Sequence, residues 1–555
     1  MKSYLVPILR NAVIAFCKTS NIEAIPEVSI ETPRNPEHGD VSTTVAMVLA
    51  KSMRKNPRDI AYELVEMMRS MIDIDVITDI SVAGAGFINI RFAKHIYGER
   101  LREALHAGAA WGRNTTGHER RVNVEYVSAN PTGLLHVGHG RNAAIGDTIA
   151  NILEWNGYAV TREYYFNNAG SQMANLGRSV YMRYLQLWDS SIEFGKDEPG
   201  LYHGDYVKDI ARVVAERYAD TLKEPTEENL RICRKIGEEW CFEAIRKTMQ
   251  AMNIRHDVYF NEDSLYTEGK IEEVIALLRS RGLVYEKDGA LWLALSRMGL
   301  SDDRVIVKSS GEPTYRLPDI AYHYDKLVRR KFDMVVDVFG ADHIATIPDV
   351  IAAVEALGAD RSKIRVVIHQ FVTLMKDGEQ VKMSKRTGKN YTLDDLLQEF
   401  GADVTRFFFL MRGVSTHLEF DLNLAAEQSE KNPVFYLQYA HARIASILRT
   451  AEERGVHIQE HAETTLLTHP TEIDLIKCIL RFPEVVERAA ELLEPQGIAE
   501  FLRELAAVFH KFYHDCRILG EEEKLMQARF GLVKAAKQVL NNGLRILGIT
   551  APEKM

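Results

Sequence analysis

Apolar residues change their period along this chain, and the changes divide it in three. Up to residue 112 the patterns mix. Helical spacing covers Val45–Met53 and Ile60–Met71, Ser81–Val82 and Phe87–Arg91 read as short strands around Gly84-Ala85-Gly86, and a helix follows from Lys94 to Ala107. Met1 to Ser20 reads as an amphipathic first helix rather than a signal peptide, because Arg10 and Asn11 interrupt its apolar residues. From 113 to 424 strands and helices alternate. Val122–Val127, Val160–Phe166, Val305–Lys308, Met334–Phe339 and Ile364–Thr373 are strand candidates, with a largely helical insertion expected at about 194–297. This pattern predicts a Rossmann-like, doubly wound parallel sheet with ligands at the carboxyl ends of its strands. From 425 to 555 no strand pattern is visible. Helical spacing runs through Phe435–Leu448, Ile473–Leu480, Ile498–Leu519 and Leu532–Leu547, and predicts an all-α bundle. The expected fold is thus α/β and multidomain: an N-terminal α/β module, a sheet domain with an insertion, and a C-terminal helical bundle.

A length of 555 residues agrees with several domains. The net charge of −9 excludes a general polycation, so any nucleic acid must use local basic patches. Arg54-Lys55 with Arg58, and Arg329-Arg330-Lys331, are such patches, each by default a solvated face. The cysteines, Cys17, Cys233, Cys241, Cys478 and Cys516, are too scattered for a disulfide framework or a zinc site. They point to a reducing, cytoplasmic setting without structural zinc. No apolar run approaches a membrane span, so no membrane partner is expected.

Two short strings carry candidate chemistry. Leu135-His136-Val137-Gly138-His139 follows a strand candidate and opens a helix in which Ala143, Ala144, Ile145, Ile149, Ile152 and Leu153 recur at helical spacing up to Asn156-Gly157. His136 to His139 are therefore expected on a strand-to-helix turn. Free N–H groups and a positive dipole end favour phosphate there. Gly138 lets a flat base approach the backbone, and His136 and His139 can donate to a triphosphate as pyrophosphate leaves. Further on, Val381-Lys382-Met383-Ser384-Lys385-Arg386 lies between Asp377-Gly378 and Thr387-Gly388, a loop signal. Lys382 and Lys385 are mobile point charges for the same phosphates, on a loop able to close over its ligand. Either string alone could be an ordinary helix start or a solvated basic loop.

Together the strings resemble the two ATP-handling motifs of class I aminoacyl-tRNA synthetases. The resemblance sharpens to the arginyl-tRNA synthetases through Glu125-Tyr126-Val127-Ser128-Ala129-Asn130-Pro131-Thr132-Gly133-Leu134, Glu163-Tyr164-Tyr165-Phe166-Asn167-Asn168-Ala169-Gly170-Ser171-Gln172, Pro313-Thr314-Tyr315-Arg316-Leu317-Pro318-Asp319 and Gly340-Ala341-Asp342-His343. Tyr436-Leu437-Gln438-Tyr439-Ala440-His441-Ala442-Arg443 and Phe509-His510-Lys511-Phe512-Tyr513 extend it into the helical part, and Glu37-His38-Gly39-Asp40 looks like the family's extra N-terminal domain. It spans nearly the whole chain. Asn168 departs from it, where the family usually has Asp, as does Ser171, often a larger polar residue; Gln172 is retained. Many members lack the full lysine loop and carry a compensating lysine where Gly133 and Leu134 stand here. This chain resembles the bacterial-type subgroup with a complete Lys382 to Lys385.

The resemblance implies an ATP-dependent ligation of L-arginine to tRNA(Arg) through an arginyl-adenylate, with Mg²⁺ accompanying ATP. It implies a monomer, and an adenylate that usually forms only with tRNA bound. It implies catalytic roles for His136, His139, Lys382 and Lys385, and an ATP site adding Gly138, Gly340, Asp342, His343, Met383 and Ser384. Around the arginine it implies Glu125, Asn130, Tyr315 and Asp319. A guanidinium is planar and permanently charged and prefers paired carboxylate acceptors, which Glu125 and Asp319 supply. By residue pattern alone, Asp319 could instead cap a helix after Pro318, Tyr315 could be a core aromatic, and Asp342-His343 could open the next helix. In the helical part, anticodon bases would be read by stacking and edge hydrogen bonds. Tyr436, Tyr439 and Arg443 share a helix face at i, i+3, i+7 spacing, with Gln438 beside them; bundle core is the competing reading for the two tyrosines. Two other classes compete. A small nucleotidyltransferase with the same first string needs neither outer domain, and an RNA-binding paralogue without activation would be expected to lose His139 or Lys385, both of which stand.

Overall fold

Val122 and Val124 point to one side of an expected strand, Asn123 and Glu125 to the other. In the computed structural model this segment, Arg121–Glu125, is the central strand of a five-stranded parallel sheet. The structure describes every residue except 1, 21, 23–24, 32, 34, 196–199, 382–390 and 460–461. The strands run in the spatial order Ile364–His369, Met334–Gly340, Arg121–Glu125, Ala159–Phe166, Val258–Asn261. Chain order therefore reverses between Arg121–Glu125 and Met334–Gly340, and a crevice at the carboxyl ends of these two strands is where such a sheet binds ligands.

Three features differ from the expected pattern. Val258–Asn261 lies inside the stretch expected to be a helical insertion, yet it pairs in parallel with Ala159–Phe166 as the edge of the sheet. Its residues are all half-buried, so it shows no two-residue alternation to find. The expected strand at Val305–Lys308 forms, as Arg304–Val307, but in a separate antiparallel sheet with Val284–Lys287 and Ala290–Leu293. The expected Ile364–Thr373 is two strands. Ile364–His369 stays in the parallel sheet, and Val372–Lys376 pairs with Leu418–Asp421.

The helix Val137–Trp155 packs close to the central strand because Gly146 has no side chain. A Cβ there would stand 2.3 Å from Cβ of Tyr126, inside any van der Waals contact. Beyond the sheet, helices Asp205–Tyr218 and Glu227–Ala251 bury Val207, Ile210, Val214, Cys233, Ile236 and Cys241 against helix Gly170–Gln186.

The chain folds as two compact units, one of residues Met1–Ala109, Ile444–Arg481 and Ala507–Val539, the other of Ala110–Arg443, Phe482–Ala506 and Leu540–Met555. Within the first, Ile77–Ala83 and Phe87–Phe92 form the expected hairpin, and Val41–Thr43 adds a third antiparallel strand. Asp40 closes that sheet by accepting from the Phe92 amide at 2.8 Å and pairing with Lys477 at 2.5 Å. After residue 425 the long elements among the described residues are helices: Pro433–Glu453, Pro470–Leu492, Gln496–Asp515 and Glu523–Ile546.

Candidate active site

The expected strand-to-helix turn forms at the sheet's reversal point. His136 is the N-cap of helix Val137–Trp155, and its Nδ1 accepts from the amides of Gly138 (3.1 Å) and His139 (3.3 Å). In return, Nδ1 of His139 accepts from the His136 amide at 3.3 Å, so two imidazoles act as a reciprocal capping box. The rings stack with centroids 3.7 Å apart. Because both Nδ1 atoms accept, the proton of each neutral ring lies on Nε2, which makes Nε2–H the donor offered to a ligand. Burial, then the nearby His136 and His369, hold the His139 pKa down to about 3, so it donates as a neutral ring. His369, at the end of its strand, is likewise lowered to about 4, first by burial.

Asn142, one turn later, ties three segments together. It donates to the Val338 carbonyl at 2.7 Å, lies 3.2 Å from Nε2 of His369, and accepts from the Val127 amide at 2.6 Å. Val127 and Ser128 both have positive φ, 69° and 45°, which is strained for a β-branched residue and is held by these bonds. Gly340 ends the neighbouring strand, and Asp342 and His343 follow on an exposed turn. His343 stacks on Phe339. Lys382, Met383, Ser384 and Lys385 lie outside the described residues. Both flanks of their segment are described. Val381 donates to the Leu374 carbonyl at 2.9 Å; on the far side Leu393 donates to the Leu135 carbonyl at 2.9 Å, and Thr392 bridges to His136. Of the two flanks, the one at Thr392 and Leu393 lies against the histidine cap.

Beside this lies a row of carboxylates. In the sheet register Asp337 pairs with Glu125, and Glu125 with Glu163, so three acids stand abreast on one face. Helix Arg316–Tyr324 continues into a π-helical turn, Asp325–Arg329, and lays three cations over the row. His323 reaches Asp337 at 3.0 Å, Lys326 reaches Glu125 at 2.6 Å and Asp337 at 2.9 Å, and Arg330 pairs with Glu163. His323 also faces the Asp319 carbonyl at 2.8 Å through Nδ1. Both its nitrogens thus meet acceptors, and its pKa is raised by Asp337 against the opposing cost of burial.

Two further acids of the site make no side-chain ion pair among the described residues. No hydrogen bond to the Asp319 carboxylate occurs among the described residues. Its pKa is pushed up to about 7, chiefly by burial; the His323 charge opposes that rise, and Glu125, Glu262 and Asp337 add to it. Glu262, just past the edge strand, accepts from Tyr165 Oη at 2.7 Å and Asn167 Nδ2 at 2.8 Å, and burial raises its pKa too. Asn130 links the site's upper loop, accepting from the Asn167 amide at 2.9 Å and donating to Gln172 at 2.9 Å. Asn168 donates to Glu238 at 2.8 Å. Tyr315 is 79% exposed at the helix start, not a core aromatic, and Asp319 lies within that helix rather than capping it. The expected partner Glu125 sits deeper. Its oxygens already accept from Lys326 and from Ser128 Oγ at 3.0 Å.

Residue pattern does not single out Glu262, His323, Lys326 or Asp337. The recoverable signal is the spacing of 319, 323, 326 and 330, one face of a helix. Among the described residues, no group of three or more potential ligands could hold a metal ion.

On helix Pro433–Glu453, Arg443 stacks over the Tyr439 ring at 4.8 Å and both are half-buried, as is Tyr436. Gln438 is buried and donates to Asp403 at 2.8 Å and to the Thr550 carbonyl at 3.1 Å.

Comparison with known proteins gives matches along nearly the whole length. Residues 7–92 match the arginyl tRNA synthetase N-terminal domain, 100–406 the class I (R) tRNA synthetase catalytic domain, and 437–555 the DALR anticodon binding domain. An arginine–tRNA ligase from Salinibacter ruber is 48% identical, covering 100% of both chains. One from Desulfotalea psychrophila is 45% identical over 95% of this chain and 94% of its own. The solved arginyl-tRNA synthetase of Thermus thermophilus shares the fold, with a TM-score of 0.79, 23% identity and complete coverage of both chains.

Proposed function

The chain belongs to the arginyl-tRNA synthetases and is an arginine–tRNA ligase, and on that premise we propose which of its residues carry the reaction. The observation that carries the proposal is the reciprocal His136–His139 cap that follows the central strand of the parallel sheet, together with Asp319, a half-buried acid whose carboxylate has no hydrogen-bond partner among the described residues, on the helix whose next turn reaches that strand's Glu125. Asp319 and Glu262 take the guanidinium as paired acceptors, Tyr315 lies at the mouth, and Asn130 with the deeper Glu125 serves the α-amino end. His136 and His139 donate from Nε2 to the ATP phosphates, Gly138 and Gly340 leave room for adenosine, and Asp342 and His343 face its ribose. Lys382 and Lys385, with Met383 and Ser384, complete the phosphate site from the segment between Val381 and Tyr391. The arginine carboxylate attacks the α-phosphorus, pyrophosphate leaves, and the terminal ribose hydroxyl of tRNA(Arg) then displaces AMP from the mixed anhydride. No side-chain nucleophile is needed, since positioning and charge stabilisation suffice. Mg²⁺ is read as arriving with ATP, whose charge it neutralises. We read the enzyme as a cytoplasmic monomer of the subgroup with a complete lysine loop.

Aminoacylation of total tRNA with each amino acid singly tests this directly. Arginine alone is expected to be charged. Lysine, a point charge, cannot use a planar two-acid site fully. ATP–pyrophosphate exchange is expected only when tRNA is added, because tRNA orders part of the site. Charging of another amino acid would overturn the assignment, and robust exchange without tRNA would remove the coupling.

Tyr436, Tyr439 and Arg443 are proposed to meet the anticodon loop. Gln438, spent on Asp403 and Thr550, would act by holding the helix. Tyr439→Ala should lower tRNA affinity about five- to a hundredfold, the range for one lost base stack, while KM for arginine and ATP stays put. An anticodon change in the tRNA should penalise the wild type more than the variant. Equal penalties would move the contact elsewhere.

A further inference from the structure

The row of cations over the row of carboxylates does more than satisfy buried charge. Each acid of the row has a partner: Asp337 has His323 and Lys326, Glu125 has Lys326, and Glu163 has Arg330, assisted by the Tyr322 hydroxyl at 2.6 Å. Lys326 alone joins two of the acids, and its ammonium is fully buried, 4.1 Å from the centre of the Tyr322 ring. We propose, resting on the assignment of Asp319 and Glu262 to the guanidinium, that Lys326 is a positioning residue for specificity: by neutralising Glu125 and Asp337 from within, it confines the uncompensated negative charge to Asp319 and Glu262, where the substrate's cation must go.

Without that ammonium, the site would hold four acids around one cationic imidazole. The guanidinium would have competing places to sit, and every remaining acid would be harder to ionise. The π-helical turn at Asp325–Arg329 fits this role. It lets position 326 reach the two central strands while Asp325 turns away to Lys270 at 2.9 Å. The groups bearing on Asp319 come from several elements around it: Glu125 from the central strand, Tyr165 from the next, Glu262 and Tyr266 beyond the edge strand, Asp337 from the fourth, and His323 from its own helix. Lys326 acts on this set through its direct pairing with Glu125 and Asp337, beside Arg330 and Tyr322 on Glu163.

Charge sign makes the test sharper than loss of activity. Ionised Asp319 is needed to hold arginine, so arginine use falls as pH drops below about 7. Lys326→Met removes a positive charge and should move that acid limb of kcat/KM for arginine upward by on the order of one pH unit, a tenfold change on the limb. Asp337→Asn removes a negative charge from the same ion pair and should move the limb downward. KM for ATP should hold in both. A merely structural ion pair would send both variants the same way. Movement in the same direction, or an unmoved limb in a folded Lys326→Met, overturns the proposal. If Lys326→Met does not fold, Asp337→Asn decides alone, and an upward or absent shift counts against it. If Asp319→Asn leaves arginine use untouched, the pocket assignment itself has failed; if that variant loses arginine while the other two move together, only the role of Lys326 has.

Discussion

Asp319→Asn should lose arginine use by about 2–5 kcal/mol in kcat/KM, roughly thirty- to several-thousand-fold, the usual cost of removing one member of a buried charge pair. Asparagine keeps the shape and loses the charge. The guanidinium would then be left with Glu262 and the hydroxyl and amide groups around it. KM for ATP should change little, because the ATP groups belong to the histidine cap. The pH dependence of stability serves as the control for folding of the variant. The Asp319 pKa is raised from 3.8 to about 7 in the empty site. A carboxyl raised on folding favours the folded state below its unfolded value and costs stability as pH rises through its folded value. Without arginine, Asp319→Asn should therefore be no less stable than wild type at pH 8, and should gain relative to it between pH 5 and pH 8. Bound arginine reverses the sign, since a cation beside Asp319 favours the ionised form, so binding near pH 6 should release a proton. Calorimetry of arginine binding in two buffers of different ionisation enthalpy measures that release. Unchanged kcat/KM for arginine would take Asp319 out of the pocket.

What is legible in the sequence is what depends on local backbone. The chain from Leu135 to Leu153 contains its own helix and its own strand-to-helix turn, so the string alone predicts where His136 and His139 sit. The same holds for the helix Lys94–Ala107 and the hairpin about Gly84. Strand membership is less legible. Arg304–Val307 and Met334–Gly340 look alike as apolar runs, and only long-range pairing puts one in a small antiparallel sheet and the other in the main sheet. Val258–Asn261 is short and half-buried throughout, and it gains its strand conformation from pairing with Ala159–Phe166.

The proposed arginine pocket shows the same limit. Tyr315 and Asp319 are reached through family resemblance, and their chemistry suits a guanidinium. The resemblance pairs Asp319 with Glu125 as the two acceptors. The structure gives Glu125 an internal cation instead, because the parallel register sets it between Asp337 and Glu163 under Lys326. No local pattern says that a lysine two hundred residues away in sequence will reach that glutamate. Glu262 escapes for a similar reason. It follows the one strand of the parallel sheet that the period does not reveal.

Lys385→Ala should slow arginyl-adenylate formation tens- to hundreds-fold, about 2–4 kcal/mol, the range for removing one charge or donor aimed at a transition-state anion. Lys385 lies outside the described residues, and the expectation rests on its flanks. Val381 hangs from the Leu374 carbonyl, and Thr392 and Leu393 are fixed against His136 and Leu135. With the Thr392–Leu393 flank at the histidine cap, an ammonium from Lys385 is expected at the same phosphates proposed for the two Nε2–H groups. The negative charge leaving with pyrophosphate grows during the step, so a point charge aimed there helps the transition state more than bound ATP. The loss should appear in kcat, with KM for ATP changed less and KM for arginine unchanged. Transfer from preformed arginyl-adenylate to tRNA, followed in a single turnover, should be spared because no pyrophosphate leaves in it. Lys385→Arg should recover only part of the rate, a planar guanidinium being a poorer substitute for a compact, freely rotating ammonium at this position. If Lys385→Ala slows transfer as much as activation, the loop acts on the tRNA end. If it turns over at the wild-type rate, the string is a surface basic run.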